Sequence, residues 1–323
     1  MRDKRPRPSQ DPPPGSPPGR RALLRQGLAL GAAGLLARAA GAAPPAPAAA
    51  TRPLPKSGEP LPLVGLGSWI TFNVGRDAAA REQCADVMQA FFEGGGRLVD
   101  SSPMYGSSQD VIGHGLRRPG ALARVLAADK VWISPGARGP AQIEASRRLW
   151  GVARFDLLQV HNLLSWQEHL PTLFEMKAGG RLRHVGVSTS EGRRHAELEQ
   201  IMRSQPLDFV QLTLSLRDRR AEERLLPLAR ERGIAVIVNR PFEGGELLRS
   251  LGRQPLPAWA GELQCTSWAQ LALKFVLGHP AVGCAIPATT RIDHVRENLA
   301  AAHGRLPDAS ERARMAALAD KLL

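Results

Sequence analysis

Cysteine and tyrosine are scarce in this chain, whose 323 residues include three cysteines and one tyrosine. Cys84, Cys265 and Cys284 are too few and too widely spaced for a disulfide scaffold or a zinc knuckle. We therefore expect buried free thiols, and the sequence leaves a Cys265–Cys284 bridge open.

Long apolar runs and two common site motifs are also missing. No run of about 18 apolar residues, the length needed to cross a bilayer, follows residue 43. No strand-like run leads into the Gly-x-Gly-x-x-Gly turn of a dinucleotide-binding sheet, and Gly113-His114-Gly115 is interpreted as a helix end. Paired histidines for metal-dependent hydrolysis are absent from Val64-Gly65-Leu66-Gly67, so no metal site is predicted.

Positive charge is in excess, but its distribution does not suit nucleic acid. The formal net charge is +13, of which residues 1–42 hold +6 and the remainder +7. That remainder is mostly scattered arginine without a basic stripe or interleaved aromatic residues, so no nucleic-acid binding is expected.

The first 43 residues have the composition of an export signal. A basic, proline-rich start precedes Gly19-Arg20-Arg21-Ala22-Leu23-Leu24-Arg25 and an Ala/Leu/Gly run to about Ala43. This order is typical of a twin-arginine signal over residues 1–43, which the twin-arginine export machinery would recognise through residues 19–25. Cleavage near Ala40-Gly41-Ala42 would leave residues 44–59 as linker and N-terminal extension. The expected location is periplasmic or otherwise extracytoplasmic, without stable membrane association after signal removal; a cytoplasmic amphipathic arm and a retained membrane anchor are alternatives.

Short apolar runs recur from residue 60 onward, with helical periodicity between them. The eight runs are Pro62–Gly67, Arg97–Asp100, Val131–Ser134, Asp156–His161, His184–Ser188, Phe209–Leu214, Ile234–Asn239 and Val282–Pro287. Continuous apolar strands alternating with amphipathic helices predict a parallel sheet covered by helices. Eight such units predict closure into a (β/α)8 TIM barrel over residues 60–323. An open doubly wound sheet is the alternative.

Polar residues with catalytic potential finish two of these strands. The second strand ends at Asp100, the single tyrosine of the chain, Tyr105, follows on the next loop, and the fourth strand ends at His161. Singly, these residues can serve as a loop cap, a packing residue and a core histidine. Because the carboxyl ends of barrel strands form the active-site face, together they predict an active site.

These segments resemble the aldo-keto reductase family from about Pro53 to Ala302. The matching stretches are Val64-Gly65-Leu66-Gly67-Ser68-Trp69, the Asp100/Tyr105 loop, the His161 strand, Gly186-Val187-Ser188, and Ile286-Pro287-Ala288-Thr289-Thr290 leading to Glu297-Asn298. The resemblance implies hydride transfer between NADPH and a small-molecule carbonyl. Tyr105 would be the general acid, His161 would orient the carbonyl oxygen, and Asp100 would belong to an Asp–Lys pair that lowers the pKa of the tyrosine.

The resemblance also implies a binding site for NADP(H). Gln211 would hold the nicotinamide amide, and Asn239-Arg240-Pro241 would border the pyrophosphate. A helix beginning near Arg291 would direct backbone N–H groups at the adenosine phosphate. The remaining residues implied at the cofactor are Ser68, Trp69, Ser188, Thr289, Thr290 and Asn298.

Two positions depart from the family pattern. Gly136 stands where the family keeps its catalytic lysine, which predicts a member that lacks it, with Lys130 at the opposite end of its strand and Arg138 as a candidate substitute. Leu214 stands where the family commonly stacks an aromatic ring on the nicotinamide. The sequence thus predicts an NADPH-dependent carbonyl reductase, with a degenerate barrel that binds cofactor or a small molecule without turnover as the alternative.

Overall fold

The computed structural model describes residues 50–323. The predicted export signal, residues 1–43, and the first part of the predicted linker lie outside these residues. Within the described part of the chain, no helix is long and apolar enough to cross a membrane.

Eight parallel strands form the centre of the molecule. An antiparallel pair, β1 (Thr51–Pro53) and β2 (Pro60–Pro62), precedes them. The parallel strands are β3 (Leu66–Gly67), β4 (Leu98–Asp100), β5 (Leu126–Val131), β6 (Phe155–His161), β7 (Leu182–Ser188), β8 (Phe209–Thr213), β9 (Ala235–Asn239) and β10 (Val282–Ala285). They are hydrogen-bonded in chain order, and parallel bridges from Val64 to Ala285 and from Gly67 to Ala288 join the two ends. The predicted (β/α)8 barrel is therefore confirmed.

Helices follow the strands and cover the outside of the barrel. They are α1 (Ala78–Glu93), α2 (Ser108–Leu116), α3 (Ala121–Arg124), α4 (Gly139–Trp150), α5 (Trp166–Ala178), α6 (His195–Ser204), α7 (Leu225–Arg232), α8 (Glu246–Leu251), α9 (Trp268–Leu277), α10 (Ile292–Ala300) and α11 (Ala309–Leu322). The α1 helix begins where the Asp77 side chain accepts a hydrogen bond from Ala80 N. Its buried face includes Cys84, Val87 and Met88, as the periodicity predicts.

The third barrel strand differs from the prediction. It runs over Leu126–Val131 instead of Val131–Ser134, and Trp132 after it is 38% exposed. Asp129 and Lys130 lie inside the strand and are both fully buried, so the sequence of this strand is not a continuous apolar run. The corrected bounds place Lys130 near the carboxyl end of the strand, the end at which the active-site loops begin.

Two glycines have a packing role that the sequence reading missed. Gly113 and Gly115 lie in the last turn of α2, at the predicted helix end, and Arg117 is the capping residue. A Cβ atom on Gly113 would come within 1.9 Å of the Leu149 carbonyl oxygen in α4, and one on Gly115 within 2.6 Å of Met88 Sδ in α1. The absence of side chains at these positions lets α2 pack closely against both neighbouring helices.

All three cysteines are buried free thiols, and Cys265 and Cys284 are not bonded to each other. Burial raises the pKa of the Cys84 thiol to about 11 and also raises that of Cys284.

Candidate active site

A buried ion pair lies at the carboxyl end of the barrel. Lys130 Nζ donates to Asp100 Oδ2 at 2.5 Å and to the Ser101 carbonyl oxygen at 2.7 Å. The two side chains meet because β4 and β5 are neighbours and the last residue of β4, Asp100, pairs with Ala128, two residues before Lys130. Burial alone would lower the pKa of Lys130, but the Asp100 carboxylate and the Tyr105 phenol raise it, so the ammonium stays charged.

The prediction that the chain lacks a lysine at this site is wrong. Gly136 begins a 3₁₀ turn, Gly136–Arg138, and its backbone N–H donates to Glu168 Oε2 at 2.8 Å, away from the cavity described below. Neither Gly136 nor Arg138 lines that cavity. The error came from the strand bounds, because a strand beginning at Val131 places Lys130 at the wrong end of the barrel.

Tyr105 lies beside this ion pair, on the loop between β4 and α2. Lys130 Nζ is 5.2 Å from the centroid of its ring. Burial raises the pKa of the Tyr105 phenol, the Lys130 ammonium lowers it, and the Asp100 charge raises it. The net direction is upward, and Lys130 is the cation that favours the phenolate.

His161, the last residue of β6, completes the group. It is 5% exposed, its Nδ1 lies 2.8 Å from Ser188 Oγ, and its ring meets that of Tyr105 edge-on with centroids 5.8 Å apart. Burial and the Lys130 charge lower the pKa of His161 well below 6.5. The imidazole is therefore neutral near pH 7, and Nε2 is the ring nitrogen not engaged by Ser188.

A chain of amides holds the second carboxylate oxygen. Asp100 Oδ1 accepts from Gln211 Nε2 at 2.9 Å and from Gln159 Nε2 at 3.3 Å. Asn239 Nδ2 donates to Gln211 Oε1 at 3.3 Å, and Thr213 Oγ1 donates to Asn239 Oδ1 at 2.7 Å. The ionised form of Asp100 therefore has donors at both oxygens, from strands on both sides of the barrel.

A cavity of about 510 Å³ opens above these residues. Asp100, Tyr105 and His161 line it, together with most of the residues predicted at the cofactor. The predicted cofactor residues in its wall are Ser68, Trp69, Gln211, Asn239, Arg240, Pro241, Thr289 and Asn298. The sequence thus identified side chains from six strands or strand ends that the fold brings to one cavity.

Three predicted cofactor residues lie elsewhere. Ser188 is fully buried and engages His161 instead of lining the cavity. Thr290 accepts a hydrogen bond from Gln83 through its carbonyl oxygen, and the Arg291 guanidinium pairs with Asp293. Neither Thr290 nor Arg291 forms part of the cavity wall, and Leu214, at the stacking position, is fully buried in the core.

The cavity wall also contains residues to which the sequence analysis assigned no catalytic or cofactor-binding role. They are Gly67, Ile70, Thr71, Met104, Asn162, Ser190, Glu191, Arg193, Phe242, Gly244, Gly245, Leu248, Ala269, Ile286, Pro287, Ala288, His294 and Glu297. Asn162 directly follows His161 at a predicted strand end, and Phe242 directly follows Pro241, so a window one residue wider would have included Phe242. Leu248 and His294 lie on helices, where the strand-end rule gives no signal.

Trp69, Arg240 and Glu191 connect three loops across the cavity rim. The Arg240 guanidinium lies 5.2 Å from the Trp69 ring centroid, and its Nη1 lies 3.3 Å from Glu191 Oε1. Stacking and charge together orient Arg240 along the wall.

A second cavity, of about 240 Å³, lies at the amino end of the barrel beneath β1 and β2. Its rim charges are largely paired with one another, because Arg183 binds Glu59 and Asp156. The catalytic groups described above lie at the opposite end of the strands.

Known proteins are similar to this chain in sequence and in fold. A methylglyoxal reductase of Escherichia coli K12, YeaE, is 29% identical over 247 residues, 74% of this chain and 85% of the relative. The NADH-specific methylglyoxal reductase of the same organism is 25% identical, over 77% of this chain and 92% of the relative.

Solved structures give the same result. An aldo-keto reductase from Klebsiella pneumoniae in complex with NADPH has a TM-score of 0.70 and 26% identity, covering 84% of this chain and 95% of that one. The model of the aldo/keto reductase family matches residues 63–319. This chain, therefore, belongs to the aldo/keto reductase family.

Proposed function

We propose that this protein reduces a small-molecule carbonyl, an aldehyde or ketone, with NADPH as hydride donor and Tyr105 as proton donor. The observation that carries the proposal is the buried Lys130 ammonium between the Asp100 carboxylate and the Tyr105 ring. The names of the relatives support the substrate class, since two are methylglyoxal reductases. The Klebsiella pneumoniae complex supports the cofactor.

The residues that line the cavity fit a dinucleotide. One end holds Tyr105 and His161, and the other reaches Thr289 and Asn298 beside the start of α10, where a helix N-terminus favours an anion. Arg240 supplies a cation between these ends. We assign Gln211 to the nicotinamide amide, Asn239-Arg240-Pro241 to the pyrophosphate and the α10 end to the adenosine phosphate. When bound, NADP(H) supplies the hydride.

The residues of this chain provide the proton and the electrostatic environment. Tyr105 donates its proton to the carbonyl oxygen as negative charge develops there. An unperturbed phenol, with a pKa of about 10, is a weak acid near neutrality, so the Lys130 ammonium is needed to stabilise the phenolate that remains. Asp100 keeps Lys130 charged and in place. Neutral His161 donates from Nε2 to the same carbonyl oxygen and orients it.

The alternative of a barrel that binds without turnover depended on a missing lysine. Since Lys130 occupies the site, no observation favours that alternative over the reductase.

Binding and turnover test the proposal separately. Purified protein is titrated with NADPH and with NADH by fluorescence, and oxidation of each is then followed with methylglyoxal and a panel of aldehydes and ketones. We expect saturable binding and turnover, and a loss of about 10²–10⁴-fold in kcat for Tyr105→Phe with unchanged cofactor affinity. Binding without turnover of any carbonyl, or turnover equal in Tyr105→Phe, would contradict the proposal.

We also propose export through the twin-arginine route, on the basis of residues 19–25, which lie outside the described part of the chain. Arg20→Lys/Arg21→Lys should abolish delivery of the protein to the periplasm in cell fractionation, while the unchanged chain is exported. Recovery of the unchanged chain in the cytoplasm would indicate an amphipathic arm, and in the membrane fraction a retained anchor; either result contradicts the proposal.

A further inference from the structure

Asp129 is a fully buried carboxylate next to Lys130 that the mechanism above does not use. Because side chains alternate along a strand, Lys130 points into the barrel and Asp129 points to the helices outside. Asp129 Oδ2 accepts from Gln109 Nε2 at 2.7 Å, and Oδ1 accepts from the Lys130 backbone N–H at 2.8 Å. Gln109 Nε2 also donates to Ser146 Oγ of α4 at 2.9 Å.

These hydrogen bonds connect the strand that carries Lys130 with the segment that carries Tyr105. Gln109 lies in the first turn of α2, four residues after Tyr105 in the chain. The loop that carries Tyr105, between β4 and α2, is also held at both ends. Ser101 Oγ and Ser108 Oγ are 2.9 Å apart, and the Ser101 carbonyl oxygen accepts a hydrogen bond from Lys130 Nζ. Asp129 thus ties the strand that holds Lys130 to the helix at which the Tyr105 loop ends.

We propose that Asp129 is a positioning residue for the Tyr105–Lys130 pair and that its ionisation changes the acidity of the Tyr105 hydroxyl. The catalytic consequence depends on the proposed reductase function. The effect on the tyrosine does not.

The surroundings of Asp129 explain why it can change charge near neutrality. Burial raises the pKa of the Asp129 carboxyl to about 7, against the opposing effects of the Lys130 backbone N–H, the Lys130 charge and Gln109. That value includes a smaller raising effect of the Asp100 charge, on the adjacent strand. In the described part of the chain, α2 contributes the uncharged Gln109 to the hydrogen bonds of Asp129, and the uncharged Ser146 of α4 contacts Gln109 in turn. The charges that shift the pKa of Asp129 are those of Lys130 and Asp100.

The sign of the coupling follows from the charges. Ionised Asp129 raises the pKa of the Tyr105 phenol, because a negative charge nearby disfavours the phenolate. Protonation of Asp129 removes that effect, so Tyr105 is the stronger acid on the acidic side of the Asp129 titration.

The single tyrosine of the chain permits a direct test. Protein labelled with ¹³Cζ-tyrosine gives one tyrosine resonance, which is that of Tyr105. We expect this resonance to shift with a midpoint near pH 7 and again when the phenol ionises. In Asp129→Asn the first shift disappears and the phenol titrates at lower pH.

Two further variants make the test specific. Asp110→Asn removes a carboxylate one residue after Gln109, on the outer side of α2, where it pairs with Arg81; both shifts should stay as in the unchanged protein. Gln109→Met keeps the Asp129 carboxylate but removes a donor that favours its ionised form, so the first midpoint should move to higher pH. If Asp129→Asn does not fold, Gln109→Met tests the proposal instead, and an unchanged first midpoint in that variant contradicts it.

The pH dependence of kcat distinguishes the Asp129 proposal from the reductase proposal. In the unchanged enzyme, kcat should fall severalfold as Asp129 ionises between about pH 6 and pH 8, with KM nearly constant, and Asp129→Asn should lose this dependence. If no carbonyl is reduced, the reductase proposal fails while the resonance still tests Asp129. A near-neutral shift that persists in Asp129→Asn, with an unchanged phenol midpoint, would overturn the inference.

Discussion

Lys130 donates a 2.5 Å hydrogen bond to Asp100 across neighbouring strands, and both side chains are almost completely buried. A buried ion pair is costly to desolvate, and removal of one partner leaves the other charge uncompensated. Such a pair at the carboxyl end of a barrel, beside the single tyrosine of the chain, is therefore better explained by chemistry than by stability.

Lys130→Met should remove catalysis and also destabilise the protein. We expect kcat to fall by about 10²–10⁴-fold, because Tyr105 loses the cation that favours its phenolate. The melting temperature should fall too, since Asp100 is left buried without its cation. Steady-state kinetics and calorimetry measure the two effects.

Lys321→Met is the matched control, because Lys321 is exposed on α11. It should leave both quantities unchanged. Full activity of Lys130→Met would show that the ammonium has no part in proton transfer.

Ser188→Ala tests the reassignment of Ser188 from the cofactor to His161. Loss of a buried hydrogen bond costs about 0.5–1.5 kcal/mol, so a poorly oriented imidazole should lower kcat/KM for the carbonyl by up to about tenfold. The affinity for NADPH should not change, because Ser188 does not line the cavity. If the variant instead weakens NADPH binding with kcat intact, the role implied by the family resemblance is the correct one.

The pH dependence of stability reports the state of His161. Its pKa is lowered by folding, so the unfolded chain binds a proton that the folded chain does not as pH falls below about 6.5. His161 therefore contributes a loss of stability as pH falls from about 7 to about 5. In urea unfolding, the free energy of unfolding of His161→Gln relative to the unchanged protein should rise over this interval; a constant difference would mean that His161 titrates normally.

The barrel and most of its site could be predicted because they depend on local patterns. Apolar runs ending in polar residues marked Asp100 and His161, and the parallel strands bring such ends together. Lys130 was misplaced because its strand contains two charged residues, Asp129 and Lys130. Their burial is compensated by Gln109 and Asp100, partners distant in sequence, and no local pattern indicates that pairing.

The role of Ser188 could not be predicted from the sequence either. Its position at the end of β7 correctly indicated the active-site face. Whether a strand-end hydroxyl faces the cavity or supports a neighbour depends on the packing of β6 against β7, which places Ser188 opposite His161. A single sequence carries no information on that choice.

Gly113→Ala should disturb both stability and activity, because it forces α2 away from α4. Its added Cβ would meet the Leu149 carbonyl at 1.9 Å, and a backbone oxygen cannot move aside as a flexible side chain can. Overpacking of this kind costs about 1–3 kcal/mol, and each kcal/mol lowers the melting temperature by roughly 2–4 °C in domains of about 150–250 residues and by less in larger ones.

The activity effect follows from where α2 begins. Tyr105 lies three residues before the first residue of the helix, Ser108, so a displaced α2 should move the phenol relative to Lys130 and lower kcat more than it weakens NADPH binding. Gly261→Ala is the control, since a Cβ there has no atom within 4 Å and the residue is exposed, in the 3₁₀ helix Ala258–Leu263. If Gly113→Ala melts like Gly261→Ala, the close approach of α2 and α4 does not constrain the fold; if it melts lower yet keeps its full kcat, the position of α2 does not set that of Tyr105.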